Sequence, residues 1–290
     1  MYHNKCFTQY CLEASQRMLK RWRPFGYEQF LLEHSPWIRH TGHFVGELHY
    51  GVKVRSFYIS EALRTISPTR MKRILDAGCG KGQTVFWLSR RFPEARIRGV
   101  DINAKLIENC EKIAAKLKLG NVDFNVADLV CFRDETLYDL IVCVDVLEQI
   151  SSFKEALKNL VRSVKLGGLL LLHVPHKGKF QETSFGLRRF VRSGNHANNQ
   201  REQALGASHI HDGLEEKDFE ILKVLGVDYN VAYTFGPVAM WAHTLFEMYR
   251  GSRRYWHLLC TPLLGLIARA ETTRRLKNGG ELLIKAERRL

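Results

Sequence analysis

Between residues 73 and 175, short apolar runs alternate with stretches of helical spacing. The pattern predicts strands at about 73–77, 96–101, 122–126, 139–144 and 169–174, the last closed by Pro175. Ile74 and Leu75 begin an apolar run of the kind that parallel strands, covered on both faces, show. Helices are expected over 83–91, over 104 to about 119 before Gly120-Asn121, and from a Ser152 cap to about Lys165, where Gly167-Gly168 would end the element. Alternation of this kind implies an α/β fold around a parallel sheet. Before it, residues 1 to about 66 read as amphipathic helices, including 11–22, 27–32 and 52–66, with Ser67-Pro68 as a stop. After it, residues 176–212 are polar and basic without periodicity, the pattern of a long loop or lid. Leu214, Phe219, Leu222 and Leu225 recur at helical spacing, so 214–225 is expected as a helix, ended by Gly226 and followed by a sixth strand over 227–232. Residues 235–277 read as an insertion of apolar and basic helices, and 281–286 as a last strand.

Composition narrows the class. The chain has 290 residues and is 45% apolar, enough for one large domain with additions or for two small domains. Its net charge of +14 favours anionic partners such as nucleic acid, an acidic membrane surface or a phosphorylated compound. Cys6, Cys11, Cys79, Cys110, Cys131, Cys143 and Cys260 make an odd set without a CxxC pair. They are expected as reduced, mostly buried thiols, not a zinc site, in a cytoplasmic protein. No apolar run reaches spanning length; the nearest, 231–246, is interrupted by Gly236, Pro237 and His243.

The chemistry concentrates at Arg73-Ile-Leu-Asp-Ala-Gly-Cys-Gly-Lys-Gly82. Gly78, Gly80 and Gly82 make a turn whose backbone a ligand can approach closely, and the next helix aims its free N–H groups at that turn. The spacing is G-x-G-x-G, not the G-x-G-x-x-G of dinucleotide folds. Asp76, just before the turn, would repel a pyrophosphate and suits a ligand that carries an ammonium group. With Leu75-Asp76-Ala77-Gly78-Cys79-Gly80-Lys81-Gly82 and the strand ends that follow as far as Pro175, the chain resembles the class I S-adenosylmethionine-dependent methyltransferases.

That resemblance implies a Rossmann-like, seven-stranded, mostly parallel sheet with helices on both faces, its last strand antiparallel and inserted beside the sixth. It also implies S-adenosyl-L-methionine as cofactor and S-adenosyl-L-homocysteine as product. Asp76, Ala77, Gly78, Cys79, Gly80 and Gly82 would form the cofactor turn. Asp101 would take the ribose hydroxyls and Ile102 would lie against the adenine, with Asp128 and Leu129 meeting its amino group and ring. Asp145, Val146 and Leu147 would pass beside the methionine moiety, in a Val-Leu-Glu-Gln run where the family usually has His in place of Gln149. Helices before the first strand often close over cofactor and substrate in this family. The expected domains are an N-terminal helical cap (1–68), a cofactor-binding core (69–234 and 278–290) and a helical substrate cap (235–277).

A reactive methyl donor leaves the protein to hold the acceptor in line and exclude water, a contribution on the order of 7–11 kcal/mol. A hydroxyl acceptor also needs a base. His176, just past the fifth strand, is the first candidate; His209 and His211 follow, and His173 lies within the strand. Residues 235–277 combine Phe235, Met240, Trp241 and Trp256 with several arginines, which suits a small-molecule or lipid-like acceptor and contact with an acidic membrane surface. An RNA- or tRNA-modifying enzyme, or a non-catalytic cofactor-binding protein, is the alternative. No separate RNA-binding module and no Asn-Pro-Pro-Tyr run supports the first of these.

Overall fold

A computed structural model describes residues 50–175, 219–227 and 281–289. Its elements, in order, are α1 (Tyr50–Ala62), β1 (Arg73–Ala77), α2 (Gln83–Arg91), β2 (Arg96–Asp101), α3 (Ala104–Leu117), β3 (Val122–Val126), β4 (Tyr138–Val144), α4 (Phe153–Arg162), β5 (Val164–Pro175), β6 (Phe219–Val227) and β7 (Glu281–Arg288). The seven strands form one sheet in the order β3-β2-β1-β4-β5-β7-β6. β1 pairs in parallel with β2 and β4, β2 with β3, and β4 with β5. β7 runs antiparallel between β5 and β6, as the family resemblance implied.

The apolar runs explain the layers. In β1, Ile74 packs on one face while Leu75 and Ala77 pack on the other, all fully buried. On the first face lie Ile59 and Ala62 of α1 with Leu63 just beyond it, Val85, Phe86 and Leu88 of α2, and Ile107 and Ile113 of α3. The second face is covered by Leu157, Leu160 and Val161 of α4, together with Leu129 and Phe132. Leu169 to Leu172 in β5 serve the two faces alternately, which is why that strand reads as an unbroken apolar run.

Several boundaries differ from the expected ones. Phe219 to Leu225 is strand, not helix, and β6 covers Phe219–Val227; residues 214–218 of the expected helix and 228–232 of the expected strand lie outside the described residues. Along the whole of β7 the segment finds an antiparallel partner, from Phe219 opposite Arg288 to Val227 opposite Glu281. Ile221, Val224 and Val227 are β-branched and suit that pairing, so ladder formation outweighs the 3.6-residue recurrence. α4 ends at Arg162, and β5 already starts at Val164. Gly167 and Gly168 therefore lie inside β5, where Gly167 has φ +70° and the pairing with β4 shifts register. Ser152 holds the N-cap position of α4 without a side-chain capping bond. α3 closes at Leu117, because Lys118 adopts the left-handed cap conformation expected two residues later at Gly120. α1 spans Tyr50–Ala62, not 52–66. The expected loop over 176–212 and the expected helical segments within 1–49 and 235–277 lie outside the described residues. Among the described residues, no helix is long and apolar enough to cross a membrane.

Candidate active site at the carboxyl rim of the sheet

Strand order reverses between β1 and β4: the chain moves outward to β2 and β3 on one side, then returns to β4 on the other. Open α/β sheets bind ligands at the carboxyl ends of strands at such a point. Asp76 sits at the end of β1 and Asp145 just beyond β4, on either side of the reversal.

The glycine turn is shaped by backbone geometry. Gly78, Gly80 and Gly82 all have positive φ, at +78°, +53° and +76°. Gly78 and Cys79 donate their N–H groups to the carbonyl of Val100 at 2.8 Å, tying the turn to β2. Why each position is glycine differs. A Cβ on Gly78 would come within 2.2 Å of Val146 Cγ2, and one on Gly82 within 2.9 Å of Cys110 Sγ. A Cβ on Gly80 would meet nothing within 4 Å among the described residues, so this is where the backbone is bare toward open space.

The acids divide by what already holds them. Asp101 accepts from Gly80 N at 2.8 Å through Oδ2 and from Asn103 N at 2.9 Å through Oδ1. It thus shapes the turn, and each oxygen keeps a lone pair for a further donor. Asn103, not an aspartate, caps α3, accepting from Lys105 N and Leu106 N. Asp128 is exposed, and its Oδ1 accepts from Val130 N at 2.9 Å; Leu129 beside it is buried. Ile102 is 70% exposed at the end of β2, and Val126, opposite Asp101 in register, is 54% exposed. Both are exposed apolar side chains near the carboxyl ends of β2 and β3.

Asp76 is different. It is 2% exposed, and its Oδ2 has no hydrogen-bond partner among the described residues. Burial pushes its carboxyl up to about 8, Asp101 adds to the rise, and an N–H from Val85 opposes it. An unpartnered buried carboxylate is costly unless a donor reaches it. The arrangement therefore fits a ligand that brings a cation to β1 and a flat apolar group to β2. Cys79 within the turn is buried, and a bond with Cys110 pushes its thiol well above the usual range. Cys110 and Cys143 are likewise free and buried, whereas Cys131 is exposed.

Asp145 lies next to Val146, whose side chain bears on Gly78. Its carboxylate meets Nδ1 of His173 at 2.6 Å through Oδ1 and pairs with Arg55 of α1 through Oδ2. Arg55 was not among the residues singled out in the sequence, because nothing in the spacing of α1 marks it. His173 carried a visible signal, a titratable residue in a run of leucines and valines. Leu147 is buried in the second face of the core, so it supports the rim from below. His176, His209 and His211 lie outside the described residues. A groove lined by Arg98, Asn125, Phe132 and Arg133 continues to the rim at Val100, Ala127 and Asp128.

Fold and rim together define an open α/β protein built to hold a nucleoside-like ligand at its switch point. A family model for the methyltransferase domain matches residues 68–231, more than half of the chain. The chain belongs to this family, the class I S-adenosylmethionine-dependent methyltransferases. It is 30% identical over 175 residues to trans-aconitate 2-methyltransferase of Enterobacter sp., covering 60% of this chain and 66% of that one. To malonyl-[acyl-carrier protein] O-methyltransferase of Bacillus cereus it is 29% identical over 123 residues, covering 42% of this chain and 45% of that one. The chain thus spans about half to two thirds of the length of these relatives. Among solved structures, phosphoethanolamine N-methyltransferase 2 of Haemonchus contortus, in complex with S-adenosyl-L-methionine, superposes with a TM-score of 0.58 at 16% identity, covering 91% of this chain and 60% of that one. At that identity the likeness speaks for the fold.

Proposed function

We propose that the protein transfers a methyl group from S-adenosyl-L-methionine to a small-molecule or lipophilic acceptor, leaving S-adenosyl-L-homocysteine. The observation that carries this reading is the orphaned Oδ2 of Asp76 beside a glycine turn whose middle glycine faces open space. Asp76 would receive the cofactor's ammonium group. The N–H groups at the start of α2 and the bare Gly80 would let the carboxylate end and sugar approach. Asp101 would accept from the ribose hydroxyls while holding Gly80 in place, with Ile102 and Val126 under the adenine and Asp128-Leu129 at its edge. Asp145, Val146 and Leu147 would line the methionine side.

The bound sulfonium supplies an activated methyl group. The chain's own contribution is to hold the donor rigidly and keep water from the line of attack. His176, with His209 and His211, remains the proposed source of a base. The relatives are named for malonyl-[acyl-carrier protein] and trans-aconitate, which supports a small acyl or carboxylic acid acceptor as a class. The +14 charge supports contact with an acidic surface or an anionic acceptor, in the cytoplasm or at the inner face of a membrane.

Calorimetry of the purified protein with S-adenosyl-L-homocysteine and, separately, with NADH tests the cofactor assignment. Heat with the first and none with the second is expected; the reverse defeats it. Transfer of labelled methyl from S-adenosyl-L-methionine to panels of carboxylic acids, phenols and amines, with total RNA alongside, tests the acceptor class. Label appearing in RNA alone would replace this reading with the nucleic-acid one.

A further inference from the structure

Asp145 is held from four sides. Its N–H donates to the carbonyl of His173 at 3.1 Å, and its own carbonyl accepts from Gln149 Nε2 at 2.5 Å. Its carboxylate spans His173 Nδ1 and the Arg55 guanidinium. All of this grips a residue at φ +56°, a left-handed conformation that a non-glycine residue seldom adopts. Such a conformation persists only where its surroundings over-determine it, and it concentrates at functional sites.

The next residue shows what the conformation serves. Val146 is the side chain against which Gly78 packs, so closely that no Cβ fits between them. Three elements therefore meet at one turn: α1 through Arg55, β5 through His173 and the β1 glycine turn through Val146. Gln149, standing where the family usually has His, ties the carbonyl of Asp145. The Arg55 and Asp145 side chains are 21% and 27% exposed, so their pairing is partly shielded from solvent.

We propose that Arg55 is a positioning residue for cofactor binding: by pairing with Asp145 it keeps the turn after β4 left-handed, Val146 against Gly78, and the glycine turn in its binding shape. The proposal rests on the cofactor reading above. It also makes α1 more than a cover, since the helix contributes through a charge pair to a site it need not touch. Without Arg55, the Asp145 carboxylate keeps, among the described residues, its bond to His173 alone, and the turn relaxes toward negative φ, carrying Val146 away from Gly78.

The test is a double-mutant cycle read by calorimetry with S-adenosyl-L-homocysteine as the probe. Arg55→Gln is expected to weaken binding about tenfold, and Asp145→Asn by a similar factor. The double variant is expected to bind no worse than Asp145→Asn alone, because one residue acts through the other. Arg55→Lys, which keeps the charge but loses the planar fork, should fall between wild type and Arg55→Gln and stands in if Arg55→Gln does not fold. Thermal unfolding of each variant accompanies the cycle; a purely structural role would lower the melting temperature and leave the affinity of the folded protein unchanged. Affinity within twofold of wild type in both Arg55 variants, or losses that multiply in the double variant, overturns the proposal. If wild type itself binds no S-adenosyl-L-homocysteine, the cofactor reading falls and this inference with it, whereas binding by wild type with unaltered variants sinks the inference alone.

Discussion

Two aspartates at opposite ends of the same sheet lead opposite lives. Asp139, at the entry to β4, accepts from Lys72 N at 2.9 Å, Arg73 N at 2.7 Å and Lys165 Nζ at 2.7 Å. Desolvation by burial works against its charge, yet these donors, Lys165 first, hold its carboxyl below the usual range. Asp76, at the exit of β1, is more deeply buried and receives one N–H, from Val85, beside a second carboxylate. The first carboxylate ties β1, β4 and β5 together and is satisfied within the chain. The second is left wanting a donor, and that want is what a cationic ligand answers. A group satisfied from inside contributes to holding the fold; one left unsatisfied at a rim points to a ligand.

The comparison breaks most readily at Asp76. Asp76→Asn removes the charge but keeps the shape and an acceptor for Val85 N. S-adenosyl-L-homocysteine affinity should fall at least about a hundredfold, as loss of a buried charged partner does. The empty variant should melt no lower than wild type at pH 8.5, since the charge it lost was unfavourable there. Retained affinity would show that Asp76 is buried for some reason unconnected with binding. Next in size is Gly78→Ala. Positive φ and the overlap with Val146 should together cost about 2–4 kcal/mol of stability, measured by denaturant unfolding. Gly80→Ala pays only the conformational part, about 1–2 kcal/mol, because its Cβ meets open space. Equal losses at the two glycines would mean that Val146 gives way freely.

Much of this contrast could be read from the sequence, but unevenly. β1, α2 and β3 fall where periodicity placed them, because local pattern and burial agree along those stretches. Glycine spacing located the turn, since positive φ at three alternate positions leaves glycine as the choice. β6 was misread because its partner, β7, lies more than fifty residues away, and an edge strand takes its conformation from that partner. The role of Asp101 was legible only in part: sequence suggested a ribose acid, while the structure adds its bond to Gly80 N. Arg55 was invisible for the same reason as β6. Its significance depends on Asp145, ninety residues further on, and no spacing rule links a helix residue to a strand end at that distance.

Proton linkage sharpens the contrast further. With its carboxyl raised to about 8, Asp76 is protonated in the empty protein at neutral pH and must ionise to hold a cation. The groups that face it, Asp101, Cys79 and Cys143, bring no positive charge. The sign follows: the empty protein binds the extra proton, so affinity rises with pH until about 8. Between pH 6.5 and 8 the gain should be roughly fifteenfold. Calorimetry in buffers of different ionisation enthalpy should show about one proton released per ligand near pH 7. A flat profile would mean that Asp76 keeps its proton when the ligand binds. For the empty protein the same raised value works the other way. The stability it contributes is fully present below the unfolded carboxyl value and lost as pH climbs through about 8.

The smallest effect is expected at Asp139, and it is the most discriminating control. Asp139→Asn retains an oxygen for Lys72 N and Arg73 N but gives up the Lys165 pair, itself partly exposed. A loss of about 1 kcal/mol follows for a charge-assisted bond reduced to a neutral one. Because the folded value of Asp139 is lowered, its contribution is present above the unfolded carboxyl value and lost as pH falls through the folded one. The stability gap between wild type and Asp139→Asn should therefore close on acidification, while any gap at Asp76 should open as pH rises. S-adenosyl-L-homocysteine affinity at pH 7.5 should stay within twofold of wild type, since Asp139 lies at the far end of the strands from the rim. A tenfold loss of affinity in Asp139→Asn would show that the two ends of the sheet are mechanically coupled, and the division between a structural carboxylate and a binding one would not hold.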